Sequence, residues 1–155
     1  MSDYGAFRDL QRHRMLTVQW QDLTPDLGAG IPDEIAAAGA GDAYRAALQR
    51  SAAEYRRLAG AGFAAAAPYA LCLGYRIRYV LDLNAREAMH LVELRSGREG
   101  HPAYRAVAQR MHALIAEQHP AVAAAMTHLD DSAEPRLERI LSEMRQESRR
   151  AAFAG

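Results

Sequence analysis

Apolar positions recur with two different periods along this chain, and a change of period predicts a change of element. From residue 4 to 16 the spacing predicts a helix, with Phe7, Leu10 and Met15, joined by Arg14, near one face. Thr17 to Pro32 is punctuated by Pro25, Gly28, Gly30 and Pro32 and reads as a loop. Asp33 opens an Ala-rich helix that breaks around Gly39 to Gly41. Asp42 is expected to restart it as an N-cap, and Ala43, Ala47, Leu48 and Tyr55 supply apolar positions on the run to Leu58. Gly60 and Gly62 stop it. Pro68 to Leu73 is a further apolar segment whose type the pattern leaves open.

The period then drops to two. Tyr75, Ile77, Tyr79, Leu81 and Leu83 alternate with Arg76, Arg78, Val80 and Asp82, which predicts a strand over 75–83. A continuous helix through to Arg95 is the competing reading. Asn84, with Glu87 three residues on, resembles a capping box opening the next helix, AREAMHLVELR. That helix is expected to bury Met89 or Leu91 with Val92 and Leu94, and to end at Gly97 and Gly100. Pro102 sits at a first-turn position, and Tyr104, Val107, Met111, Leu114 and Ile115 form a stripe of helical period. Pro120 interrupts it, and a short Ala-rich helix runs to about His128. Asp130, Asp131 and Ser132 read as a loop. A charged helix over 133–151 carries Leu137, Ile140, Leu141 and Met144 on one face. The fold class expected is mainly α with one β-strand, in a single domain over 1–155.

Composition narrows the functional classes. At 155 residues and 50% apolar, the chain can build a true core. Acidic and basic residues number 19 each, so the basic excess that nucleic-acid coats and membrane-surface proteins need is absent. Every basic residue is Arg. Schiff-base chemistry, a P-loop lysine and a Ser-Lys dyad are therefore excluded, while planar guanidinium groups suit phosphate, carboxylate or a uracil-like edge. Cys72 is the one cysteine, which excludes an internal disulfide; its apolar neighbourhood predicts a buried, inert thiol. The N-terminal stretch is charged from its third residue, unlike a signal peptide. The uncharged run Leu58 to Tyr75 is mostly Ala and Gly and contains Pro68, unlike a membrane span. A cytoplasmic location is the expectation.

Three clusters could carry chemistry. Arg12-His13-Arg14 puts two guanidinium groups around an imidazole; in a helical turn the two would diverge by about 200°, too far to fork one phosphate. A solvated basic turn at a helix C-terminus accounts for the same residues. Asn84-Ala85-Arg86 places Arg86 in a first helical turn, against the dipole, which points to an anionic partner, internal or external. Arg95 lies nine residues on, about 900° of rotation, on the opposite face. Glu87-x-x-His90 has the spacing of a carboxylate-bridged metal motif but occurs once, and His101, His112, His119 and His128 do not complete a set, so no metal is expected.

LQRHRMLT, YRIRYVLDLNAREAMHLVELR and GHPAYRAVAQRMHALIAEQHP, in that order, resemble the flavin-dependent thymidylate synthases, the ThyX family. The resemblance covers about residues 5–125 and is most similar to the C-terminal half of a longer, duplicated type of member. It implies a helical ThyX-like domain, α+β at family level, without the family's N-terminal sheet portion. It implies reductive methylation of dUMP, or a related pyrimidine nucleotide, to dTMP. FAD would be the cofactor, with methylenetetrahydrofolate and NADPH as co-substrates. Arg12, His13 and Arg14 match the flavin-contacting RHR, whose first Arg also touches the nucleotide. Asn84, Ala85 and Arg86 match the flavin-binding Asn-x-Arg segment. Arg95 matches the catalytic Arg that stabilises the ionised N3 of the pyrimidine. The family is a homotetramer with shared sites, which implies a homo-oligomer here or a partner supplying the missing N-terminal part. Departures from the family pattern include Asp9 where a Gln binds nucleotide, His90 where a second Asn contacts flavin, and QWQDLTPDLG in place of a Ser-x-Arg-Tyr segment. They open the alternative of a non-catalytic ThyX-like binding or scaffolding module without the nucleotide pocket.

Overall fold

The computed structural model describes residues 1–132, 143–144 and 146–149. They group into two compact units, Met1–Asp82 and Leu83–Gly155. As the periodicity predicts, the chain is mainly helical, and its few strands form two two-stranded sheets.

In the first unit, β1 (Ser2–Asp3) runs into α1 (Tyr4–Leu10). The Asp3 carboxylate caps α1 by accepting the Ala6 N–H at 2.7 Å, and the helix buries Ala6, Phe7 and Leu10 on one face. The helix expected over 4–16 stops at Leu10, because beyond it exposure alternates residue by residue rather than turn by turn: Arg12 is out, His13 in, Arg14 out. Part of the expected loop is instead β2 (Leu16–Trp20), a run of β-branched and aromatic residues that pairs with β4 (Tyr79–Leu83).

The period-two stretch is extended, not helical. Tyr75 and Ile77 are buried and Tyr79, Leu81 and Leu83 half-buried, while Arg76, Arg78, Val80 and Asp82 are exposed. It divides into β3 (Arg76–Ile77) and β4. The first pairs antiparallel with β1, Ser2 opposite Ile77 and Asp3 opposite Arg76.

Two helices lie between the sheet strands in sequence, α2 (Asp33–Ala37) and α3 (Gly41–Gly60). Asp42 does not cap α3. Ala40 holds the cap position, and Asp42, in the first turn, pairs with Arg45. The buried face of α3 is Leu48, Ser51 and Ala52, not Ala43 and Ala47, because Leu48 and Ala52 pack with Leu71 and Tyr75. The Tyr75 hydroxyl donates to the Leu48 carbonyl at 2.6 Å. Ser51 Oγ donates to the Ala70 carbonyl and accepts the Cys72 N–H, each at 2.8 Å. These bonds seat the segment left open in the sequence, which begins as a 3-10 turn over Ala67–Ala70. Cys72 is exposed, not buried, since Leu71 takes the inward position. Gly74 leaves room for Tyr44: a Cβ there would lie 2.6 Å from the Tyr44 hydroxyl, so that side chain would have to shift.

The second unit holds α4 (Ala85–Ser96), α5 (Pro102–Gln118) and α6 (Pro120–Ala124). In α4 the buried residues are Glu87, Ala88, Leu91, Val92 and Ser96; Leu94, expected inside, is exposed. In α5 the buried line is Tyr104, Arg105 and Ala108, rotated from the expected stripe, with Leu114 exposed and Val107, Met111 and Ile115 half-buried. Of the charged helix expected over 133–151, only 143–144 and 146–149 lie within the described residues, and these are helical. No helix among the described residues is long and apolar enough to cross a membrane.

Candidate functional site

The residues singled out in the sequence fall into three places. Arg12, His13 and Arg14 occupy the turn between α1 and β2 in the first unit. Its position is set by Phe7, fully buried one turn earlier, whose ring stacks on Tyr79 with centroids 4.6 Å apart and lies 5.9 Å from that of Trp20. The backbone N–H groups of Arg12 and His13 donate to the carbonyls of Asp9 and Leu10 at 3.3 and 3.2 Å. Arg12 reaches back to the Asp9 carboxylate at 3.4 Å, an exposed pair worth at most about 1 kcal/mol. Asp9 is thus partly neutralised by the first Arg of the motif. Arg14 is exposed and forms no hydrogen bond or ion pair among the described residues. Burial pushes the Tyr79 phenol above its ordinary value, although the Ser2 hydroxyl, 3.2 Å away, works the other way by donating to the phenolate.

Asn84, Ala85 and Arg86 open α4 in the second unit. The Asn84 side-chain oxygen accepts the Glu87 N–H at 3.0 Å, the cap the sequence predicts. That leaves the amide NH2 group to donate. Arg86 is exposed, and no carboxylate among the described residues pairs with it to account for its place in the first turn. Arg95 stands at the other end of α4, about 13 Å along the axis. Its guanidinium carbon lies 5.4 Å from the ring centroid of Tyr104, within cation–π range. Tyr104 is buried against Gly100, where a Cβ would lie 2.5 Å from the ring.

A polar cluster in the same unit escaped the sequence reading. Arg105, 3% exposed, donates from Nε to the Ser96 carbonyl at 2.8 Å. Its Nη2 donates to the Ser132 carbonyl at 3.1 Å and lies 3.7 Å from the Asp130 carboxylate. Asp130 also pairs with Arg98 Nε at 3.0 Å, and its N–H donates to Ser96 Oγ at 3.0 Å. The Ser132 hydroxyl, ahead of Arg98, holds the Asp130 carboxyl below its ordinary value against the opposing effect of burial. The signal available in the sequence was an Arg directly after an apolar-stripe residue, followed 25 residues later by an Asp-Asp-Ser turn. No group of three or more His, Cys, Asp or Glu that could hold a metal forms among the described residues; Glu87 is buried while His90 is exposed.

Comparison with known proteins gives a consistent grouping. A sequence profile of the family described as thymidylate synthase complementing protein matches residues 2–121. A UPF0159 protein of Chlamydia muridarum is 38% identical over 97% of this chain and 27% of its own length. One from Thermoplasma acidophilum is 35% identical over 93% of this chain and 29% of its own. The chain thus spans less than a third of the length of these curated relatives. A crystal structure of a UMP/dUMP methylase, PolB from Streptomyces cacaoi, bound with 5-Br dUMP, superposes with a TM-score of 0.67. It covers 83% of this chain and 68% of its own at 20% identity, a likeness of fold. The profile spans the RHR turn, the cap of α4 and Arg95 together, and on that ground the chain belongs to the thymidylate synthase complementing protein family, the ThyX family.

Proposed function

We propose that this chain takes part in flavin-dependent reductive methylation of dUMP, or a closely related pyrimidine nucleotide, to the 5-methyl product. FAD is the cofactor, methylenetetrahydrofolate the carbon donor and NADPH the reductant. The observation that carries this reading is an exposed guanidinium, Arg86, without a carboxylate partner among the described residues, in the Asn-x-Arg position of a family-matched span.

The donor set fits the cofactor. Arg14 in the first unit and Arg86 in the second are each an exposed cation with no described carboxylate against it, and each suits a phosphate group. Asn84 spends its oxygen on the helix cap and keeps two N–H donors. When bound, the reduced flavin supplies the reducing equivalents and relays the one-carbon unit. Arg95 presents N–H donors and a charge that cannot be lost to the pyrimidine N3, favouring its ionised form and so the electron density needed at C5. Tyr104 beneath it holds the guanidinium plane. Arg12 reaches the nucleotide once Asp9 is exchanged for it, and buried His13 keeps the turn in place. No cysteine nucleophile is invoked, and exposed Cys72 has no role. The site is completed by further copies of the chain or by a partner.

Asp9 favours the second reading, a binding module without turnover, because a carboxylate beside the nucleotide phosphate costs about 3 kcal/mol per charge pair at about 6 Å, of which the pairing with Arg12 offsets only a part. Titration of the purified chain with FAD and then dUMP, followed by flavin absorbance and fluorescence, separates the two. The proposed function expects both to bind, with Arg86→Ala weakening FAD about 10- to 100-fold for the loss of one charge-assisted interaction. Binding of FAD without dUMP selects the module; binding of neither removes both.

A further inference from the structure

We propose that Arg105 and Asp130 form a clasp that positions Arg95 by fixing the last turn of α4 and the ring on which Arg95 lies. The inference rests on the proposed function for what Arg95 is positioned to do, and on geometry alone for the positioning itself.

The last carbonyls of a helix have no partner within it. In α4 two of these last carbonyls, those of Glu93 and Ser96, accept side-chain hydrogen bonds. Arg105 Nε takes the Ser96 carbonyl at 2.8 Å. The Ser96 hydroxyl donates to the Glu93 carbonyl at 3.2 Å and accepts the Asp130 N–H at 3.0 Å. The Glu93 carboxylate accepts the His128 N–H at 2.9 Å. The residue after Arg95 and the residue two before it are therefore tied to the 128–132 segment. That segment is held in turn by α5, where Gln109 Nε2 donates to the Asp130 carbonyl at 3.0 Å and Arg105 donates to Ser132. Tyr104, the residue before Arg105, carries the ring under the Arg95 guanidinium. One side chain thus braces both the backbone from which Arg95 projects and the helix turn that supplies its platform.

A buried Arg that leans on a half-buried Asp at 3.7 Å is a poor way to gain stability, since apolar residues of the same volume usually do as well. What it provides is one arrangement instead of several: the guanidinium fork accepts few geometries. A site that must hold a cation within a fraction of an ångström of a developing anion needs that restriction, and misplacement by about 1 Å can cost about a hundredfold in rate. Ser96 and Arg105 lie within the residues 2–121 that the family profile matches, and Asp130 and Ser132 lie beyond them.

The test uses the full chain labelled with 15N-arginine. The Arg95 Nε–Hε resonance, assigned through Arg95→Lys, carries a ring-current shift from Tyr104, whose size Tyr104→Leu defines. Asp130→Asn and Arg105→Lys are expected to move that resonance at least half of the way to its Tyr104→Leu position, with circular dichroism unchanged. Ser132→Ala removes one hydroxyl only, and is expected to move it the same way by less. In tritium release from 5-tritiated dUMP, Asp130→Asn and Arg105→Lys are expected to lower kcat about ten- to a hundredfold, with KM for dUMP changing less than threefold. An Arg95 resonance that stays in place in all three variants overturns the clasp. Parent protein that binds no dUMP and releases no tritium, while its Arg95 resonance responds to the substitutions, leaves the clasp standing and removes the proposed reaction.

Discussion

Phe7→Ala is expected to remove a large part of the stability of the first unit and to release the RHR turn. Phe7 is 0% exposed, and its ring contacts those of Tyr4, Trp20 and Tyr79. Truncating a fully buried Phe costs about 3–5 kcal/mol through lost transfer energy and the cavity left behind. Of this, about 1 kcal/mol belongs to the aromatic geometry, chiefly the 4.6 Å stack on Tyr79. A small domain has roughly 5–15 kcal/mol to lose, so the loss is at least a fifth of the margin and reaches the unfolding threshold at the lower end of that range. Phe7→Leu keeps most of the apolar volume and is expected to lose only about 1–1.5 kcal/mol. The chain has one Trp, Trp20, 5.9 Å from Phe7, so urea unfolding followed by Trp fluorescence reads this unit directly. Hydrogen exchange at the Arg12 and His13 amides, bonded to Asp9 and Leu10, is expected to accelerate in step. A loss below about 1 kcal/mol for Phe7→Ala, or protected amides at 12 and 13 despite a larger loss, means that Phe7 does not anchor the turn.

Gly100→Ala drives a Cβ to within 2.5 Å of the Tyr104 ring and 2.9 Å of the Gly97 carbonyl, so the ring must shift; a changed Arg95 side-chain resonance and a lower melting temperature are the expected outcomes. Asp130, held low in the folded state, contributes stability that is complete above the ordinary carboxylate value of about 4 and is lost as pH falls through its depressed folded value. Asp130→Asn should therefore flatten the acid limb of the pH–stability curve below about pH 4, measured by circular dichroism of the helices. Tyr75 and Tyr79, both raised chiefly by burial, keep the folded state's full advantage below about pH 10 and lose it as pH climbs through their raised values. Alkaline unfolding of the first unit, seen in Trp20 fluorescence, is expected to weaken in Tyr79→Phe. Cys72, exposed on the surface, is expected to react with a thiol reagent in native buffer about as fast as in urea.

Some of the architecture was legible residue by residue. The alternation from Tyr75 to Leu83 survives in the burial of every position in it, because a strand with one covered face leaves no choice of register. The cap at Asn84 and the helix start at Pro102 were equally plain, since both rest on local backbone rules. Strand β2 was not, although Leu16-Thr-Val-Gln-Trp has strand composition; its pairing with β4 is a contact with residues some sixty positions away. The buried face drifted by a residue in α5, where Ala108 rather than Val107 is buried, and in α3 burial moved one turn along the same face, from Ala47 to Ser51, which bonds to residues 70 and 72. In the candidate site, Arg12, Arg86 and Arg95 stood out as guanidinium groups in motifs. Arg105 did not, because a polarity pattern assigns every Arg to solvent and its partners at 96, 130 and 132 are invisible to local spacing.

Tritium released from 5-tritiated dUMP, in the presence of FAD, NADPH and methylenetetrahydrofolate, reads most directly whether these guanidinium groups serve pyrimidine methylation. Release that depends on all three additions, and that falls at least a hundredfold in Arg95→Ala with FAD binding unchanged, is the expected outcome. Release that persists at the parent rate in Arg95→Ala, or no release from parent protein that has bound both FAD and dUMP, contradicts it.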